Sequence, residues 1–256
     1  MRSPVTRGFT LIEILISIAI LSILISLLLP ALGRGMARAR AFRCQMNVRS
    51  IAFSFSLFAD ADLSGLRTKD EDRAGAGRFS LESFIESEYR IDEFWPPAER
   101  RAVVTRTADA SDDPTRCPDV KGDITVRRNL PCQRINAIAP PQNISMGFNA
   151  RLFRVESMDV RGRVRLNEVF LRPEILGQGR VPLVWEIDGG IPGARNVVPH
   201  FTAPSLSPSG PYARSQYWWP AFRHARTGHY GLIDGSVHAT ASPLTQTWNW
   251  SYQPRP

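Results

Sequence analysis

The chain has 256 residues, with 43% apolar and 22% charged side chains, both near globular averages. That balance excludes a wholly disordered chain and allows one domain of ordinary size plus an anchor. The formal net charge of +8 is carried almost entirely by arginine, since Lys69 and Lys121 are the only lysines. Its scatter along the sequence argues for a mixed-charge surface and against a nucleic-acid interface.

Residues 1–8 form a short basic leader with Arg2 and Arg7, ending in Gly8. An apolar run follows from Phe9 to Leu29, interrupted by one charge, Glu13. It matches the roughly 20 residues needed to cross hydrocarbon. An ordinary signal peptide has a core of about 7–15 residues, although Ala31-Leu32-Gly33 offers a conventional cleavage-like site. A carboxylate in such a segment costs roughly 2.5–3.5 kcal/mol on insertion scales, so Glu13 is a functional candidate with a cationic amine as its expected partner. Arg34, Arg38, Arg40 and Arg43 follow the segment, and charge counting alone slightly favours an inward-facing C-terminal side. Pro30 closes the apolar run, where loss of its N–H predicts a kink or local melting.

The order Gly8-Phe9-Thr10-Leu11-Ile12-Glu13 resembles the class III signal of type IV pilins and type II secretion pseudopilins. That resemblance implies cleavage between Gly8 and Phe9 by a prepilin peptidase, with methylation of the new amine. It implies that Glu13 pairs with the terminal amine of a neighbouring subunit, and that Pro30 matches the proline those proteins carry there. It also implies a cytoplasmic N-terminus in a bacterial inner membrane, a single pass and an exported, periplasmic remainder. The topology so implied conflicts with the charge count.

Helical periodicity resumes beyond Pro30. Ala37, Ala41, Cys44, Val48, Ile51, Phe55 and Phe58 recur in steps of 4, 3, 4, 3, 4 and 3, one stripe of a helix. Residues 9–29 and 30–59 thus read as two halves of one helix, about 75 Å long at 1.5 Å per residue. Cys44-Gln45-Met46-Asn47-Val48-Arg49-Ser50-Ile51-Ala52 resembles an element of a large pilin-like subgroup, with Val48 in place of leucine. That subgroup carries a C-terminal His-x9-Asp-Gly motif, matched here by His224, Asp234 and Gly235. Residues 144–149 and 181–188 also resemble its middle blocks.

Residues 60–256 read as one exported α+β domain. Residues 60–78 form a polar loop, and Ser80 caps a short helix over Leu81 to Arg90 with Phe84 and Ile85 facing inward. Strands are expected at 124–129, 144–148, 164–171, 181–186, 229–233 and 236–240. The last two meet at Asp234-Gly235, a two-residue hairpin turn with both residues at positive φ. Five prolines between Pro199 and Pro220 mark an irregular loop. Trp218-Trp219 at its end reads as core or as an exposed contact patch. The expected fold is a long N-terminal helix packed on an antiparallel β-sheet, pilin-like.

Cys44, Cys117 and Cys132 fit an exported protein with one disulfide and one spare thiol, and lack the short paired spacing of a zinc site. Cys44 and Cys117 both match subgroup positions, so the resemblance favours pairing 44–117; 117–132 would close a local loop. No cofactor is expected. Asp109, Asp112, Asp113, Asp119 and Asp123 supply calcium-type oxygens but match no defined loop spacing.

The leading functional expectation is a structural subunit of a type II secretion pseudopilus or type IV pilus-like fibre. Its partners would be the prepilin peptidase, other pilin-like subunits and an inner-membrane assembly platform. Two alternatives differ in class. One is a minor pilin-like binding module for DNA or polysaccharide. The other is an anchored enzyme using His224, His229, His238 and Asp234 as a metal or acid–base cluster. Sequences such as His-Glu-x-x-His and Gly-x-Ser-x-Gly are absent, and the reading is of a protein that is not an enzyme.

Overall fold

The computed structural model describes residues 10–60, 77–89, 114–120, 144–158, 164–191, 200–208 and 212–254. Helix α1 (Leu11–Ala59) runs unbroken for 49 residues through Pro30. The kink or local melting expected at that proline does not interrupt it. Pro30 denies the Ser26 carbonyl its usual amide donor, while the Arg34 guanidinium folds back onto the Pro30 carbonyl at 3.3 Å.

The two halves of α1 differ completely in burial. Leu11 to Leu29 lie exposed, whereas Cys44, Val48, Ile51, Ala52, Phe55, Phe58 and Ala59 are buried. The 4/3 stripe therefore sets the docking face, although it begins to be covered only near Ala41; Ala37 remains exposed.

The docking partner is a five-stranded sheet of β2 (Met146–Asn149), β6 (Pro182–Glu186), β7 (Phe201–Thr202), β8 (Gly228–Leu232) and β9 (Val237–Thr240). Their spatial order is β7-β2-β6-β8-β9. Pairing is antiparallel except at one edge, where β7 joins β2 in parallel. The antiparallel sheet expected is thus observed, with one parallel edge added. The proline-rich segment contributes this short edge strand, where a chain without regular donors costs the ladder least.

Val184 and Gly231 face α1. A Cβ built on Gly231 would meet Val48 Cγ1 at 2.8 Å and Val184 Cγ1 at 3.1 Å. Glycine at that position is what lets helix and sheet approach. On the opposite face Trp185, Ile187, Trp219, Tyr230 and Trp250 form a second core with Ile144. Trp219 is buried and Trp218 packs against Trp185 and Trp250, so the tryptophan pair is core and not an exposed patch.

Two further two-stranded antiparallel sheets flank the five-stranded one. Strand β1 (Phe79–Ser80) pairs with β5 (Phe170–Leu171), and β3 (Arg154–Met158) pairs with β4 (Val164–Glu168). The single strand expected over 164–171 is thus split. Its two halves have different partners, and Val169 between them donates its N–H to the Phe153 carbonyl. Helix α2 (Leu81–Tyr89) follows β1, with Ser80 Oγ accepting the Ser83 amide and Phe84 and Ile85 buried as expected. Phe84 meets Phe55, Phe58 and Phe148, tying α2 to the helix–sheet core. The strand expected at 124–129 lies outside the described residues.

Candidate functional site

Among the described residues, two places carry chemistry: the front of α1, and a buried polar cluster at the end of the helix–sheet seam nearer that apolar front. At the front, Thr10 caps the helix. Glu13 N–H donates to Thr10 Oγ1 at 3.3 Å, while the Glu13 carboxylate accepts from Thr10 N and Thr10 Oγ1, both at 2.8 Å. This is a reciprocal capping box, which a Thr-x-x-Glu spacing permits. Within one chain, Glu13 is therefore engaged locally. Gly8 and Phe9, the expected cleavage pair, lie outside the described residues.

The cluster begins where the stripe of α1 passes the edge of the apolar core. Cys44 is the first fully buried residue of that stripe, roughly 20 Å along the axis from Pro30. Its Sγ–H donates to Glu186 Oε1 at 2.6 Å. Glu186 ends β6 and is wholly buried. Strand alternation turns it to the same face as Val184, towards α1. Its Oε2 accepts the backbone amide of His229 in β8 at 3.0 Å and lies 3.4 Å from His229 Nδ1.

His224 completes the group from the turn that leads into β8. It exchanges both backbone hydrogen bonds with Thr227 across Ala225 and Arg226, at φ of 50° and 66°. This two-residue turn has the positive-φ pair that was expected at Asp234-Gly235. It is built without glycine, at roughly 1–2 kcal/mol per left-handed residue. The turn places His224 Nε2 at 2.8 Å from Glu186 Oε1 and 3.3 Å from Cys117 Sγ. His224 Nδ1 lies 3.1 Å from Asp119 Oδ2, and Asp119 is ion-paired to Arg40 of α1. Asn47, one turn beyond Cys44, donates to the Arg116 carbonyl at 3.0 Å and holds the 114–120 segment against the helix.

The electrostatics follow from this packing. Burial pushes the Glu186 carboxyl up, but close contact with His224, His229 and Cys44 together outweighs it and holds the group well below the usual carboxylate range. Burial likewise opposes protonation of His224, yet contact with Cys117 and Glu186 raises it to about 10. The neighbouring Cys44 thiol lowers Cys117 to about 6, with His224 assisting, while Cys117, burial and Glu186 push Cys44 up.

Cys44 and Cys117 are brought together, as the resemblance implied, but both are free thiols. The expected 44–117 disulfide is not formed; Glu186 and His224 supply polar partners to the two sulfurs instead. Cys132 lies outside the described residues, as do Asp109, Asp112, Asp113 and Asp123 of the calcium-type set. The fifth carboxylate of that set, Asp119, is engaged by Arg40 and His224.

The His-x9-Asp-Gly residues part company in space. His224 enters the buried cluster, while Asp234 is exposed in the β8–β9 turn and accepts from Ser236 N and Ser236 Oγ at 2.9 and 2.6 Å. Only Gly235 there has positive φ, at 81°. Gly235 N–H donates to the Leu232 carbonyl and Leu232 N–H to the Ser236 carbonyl, giving a three-residue loop in place of the expected two-residue turn. Of the suggested histidine cluster, His224 and His229 stand with ring centroids 5.0 Å apart. His238 is exposed against Trp248.

Glu186 is the cluster residue that sequence reasoning did not single out for chemistry. Its signal was present: a lone carboxylate inside Val181-Pro182-Leu183-Val184-Trp185-Glu186-Ile187, an otherwise apolar run of buried-strand type. A surface cavity of about 800 Å³, lined by Phe170, Arg172, Glu174 and Gln178 among others, shares no residue with the cluster.

Residues 5–29 match the family model of the prokaryotic N-terminal methylation motif. No curated protein and no solved structure matches the chain. The exposed apolar half of α1 and the leader before it are therefore a type IV pilin-like prepilin signal.

Proposed function

We propose that this chain is a membrane-anchored, exported pilin-like subunit, cut between Gly8 and Phe9 and assembled into a type II secretion pseudopilus or type IV pilus-like fibre. One observation carries the reading. The methylation motif covers the half of α1 that is exposed, while the other half of the same helix is locked into a folded domain. A helix divided in this way holds its domain at a membrane before assembly and offers a ready-made contact surface afterwards.

The physical sequence is as follows. In the bilayer, Leu11 to Leu29 are solvated by lipid, and helix association there rests on packing more than on hydrophobic drive. Extraction would expose that surface to water at ~25 cal/mol per Å², so reburial against other subunits is strongly favoured. Glu13 sets the axial register by pairing with the Phe9 amine of a neighbour, which satisfies both charges away from water. The Thr10 capping box holds the carboxylate until that exchange. The role is assembly, not turnover.

Intact-mass and N-terminal peptide analysis of the protein from its native membrane tests the first step. A mature chain beginning at Phe9 with one added methyl is expected. A Met1 start, or a cut near Gly33, overturns the processing and with it the fibre reading.

A further inference from the structure

We propose that Cys44, Glu186, His224 and His229 form a structural binding site for a divalent metal ion of the zinc type. One donor atom from each residue lies within 4.8 Å of all the others, and all four residues are buried. The set combines a thiol, two imidazoles and a carboxylate, the mixture that a borderline-soft, four-coordinate ion prefers.

The distances fit. Bonds of about 2.0–2.3 Å in a tetrahedron place neighbouring donors roughly 3.3–3.7 Å apart. Here Cys44 Sγ–Glu186 Oε1 is 2.6 Å, His224 Nε2–Glu186 Oε1 is 2.8 Å and His229 Nδ1–Glu186 Oε2 is 3.4 Å. Opening the first two by about 1 Å admits the ion, well within side-chain rotation.

Three further observations point to a ligand. His229 Nδ1, 3.4 Å from Glu186 Oε2, and His224 Nδ1, 3.1 Å from Asp119 Oδ2, are both buried ring nitrogens without a hydrogen bond of good geometry. The far nitrogen of His224 faces Asp119, which Arg40 grips from behind, so Nε2 is turned into the cluster. A carboxylate behind a ligating histidine is the usual outer support of such sites. Finally, three segments distant in sequence converge here: the Cys44-x-x-Asn47 turn of α1, the end of β6 and the His224 turn with the start of β8. The site thus explains why the histidine of the His-x9-Asp-Gly motif is buried while its Asp-Gly is not.

Binding is balanced by proton release. Cys44 loses its thiol proton and His224 its Nε2 proton to solvent, and the metal takes one thiolate, one carboxylate and two neutral imidazoles. The resulting site is electrically neutral, which suits its burial. With every ligand buried the site is closed, so its role is to staple α1 to the sheet near the membrane end of the seam. It does not depend on processing at Gly8.

The test uses the full chain in detergent, reduced, equilibrated with Zn²⁺ and freed of loose metal by dialysis. Metal content is read by mass spectrometry, and Co²⁺ substitution is read by absorption. The expected result is one Zn²⁺ per chain, tetrahedral Co²⁺ bands with a thiolate charge-transfer band, and a melting midpoint lowered by several degrees on chelation. Cys44→Ser abolishes the charge-transfer band, and His224→Gln loses the metal. Circular dichroism identifies any variant that fails to fold, and His229→Gln then serves as the second ligand variant. Failure of the reduced protein to retain zinc overturns the proposal, as does retention unchanged in folded Cys44→Ser and His224→Gln. Isolation from the native membrane with Cys44 and Cys117 joined as a disulfide also overturns it, because an oxidised Cys44 has no thiolate to give.

Discussion

Gly231→Ala probes the seam on which both the anchor helix and the buried cluster depend. The new methyl would stand 2.8 Å from Val48 Cγ1, 3.1 Å from Val184 Cγ1 and 3.4 Å from the Val48 carbonyl oxygen. The first is the clash: Val48 is β-branched and stiff at χ1, so its side chain, and α1 with it, must shift. Overpacking of this kind costs about 1–3 kcal/mol. For a domain of this size that lowers the melting midpoint by roughly 2–10 °C. The same substitution at Gly33, helical and open with nothing within 4 Å, has the opposite sign and adds about 0.5–1 kcal/mol. Thermal unfolding of the full chain in detergent, followed by circular dichroism, reads both. Adding Val48→Ala to Gly231→Ala removes the clashing methyl and restores part of the loss, so the two changes couple by about 0.5–3 kcal/mol. An unchanged midpoint for Gly231→Ala, or strict additivity with Val48→Ala, would refute the close-approach argument.

Glu13→Gln and Glu13→Ala separate two jobs of one side chain. Gln keeps an acceptor for the Thr10 cap but not the charge, whereas Ala loses both at about 1 kcal/mol of helix-start stability. Both variants are expected to be processed normally yet to enter fibres poorly, measured by subunit co-sedimentation; full incorporation of Gln removes the charge-pairing role. Gly235→Ala forces a left-handed alanine and costs about 1–2 kcal/mol in the β8–β9 turn, seen as a lower melting midpoint with unchanged zinc content. Asp119→Asn and Arg40→Ala leave the four ligands in place but loosen the support behind His224. Zinc affinity then falls about 10–100-fold in chelator competition, with a shift in the Co²⁺ bands, and parental affinity would show that Asp119 does not position the ring.

Much of the architecture was legible because it rests on periodicity. The apolar run, the 4/3 stripe, the cap at Ser80 and most of the strand positions are local patterns, and hydrophobic period alone decides which face is buried. The misses have tertiary causes. The strand over 164–171 was read as one because nothing local reports that its halves pair with different partners. The parallel edge at Phe201–Thr202 is stabilised by β2, not by its own proline-rich sequence. Positive φ was assigned to Asp234-Gly235 from turn chemistry, while the two-residue turn actually sits at Ala225-Arg226, where neighbouring contacts override propensity.

By itself, the sequence determined the anchor, its processing signal and the face of the helix that docks, since each follows from local composition and spacing. Only the tertiary structure decided that Cys44, Cys117, Glu186, His224 and His229 meet. They lie on separate elements, and their meeting depends on the register between α1, β6 and β8. A register is a long-range quantity, set here by the close approach at Gly231, that no single stretch of sequence encodes.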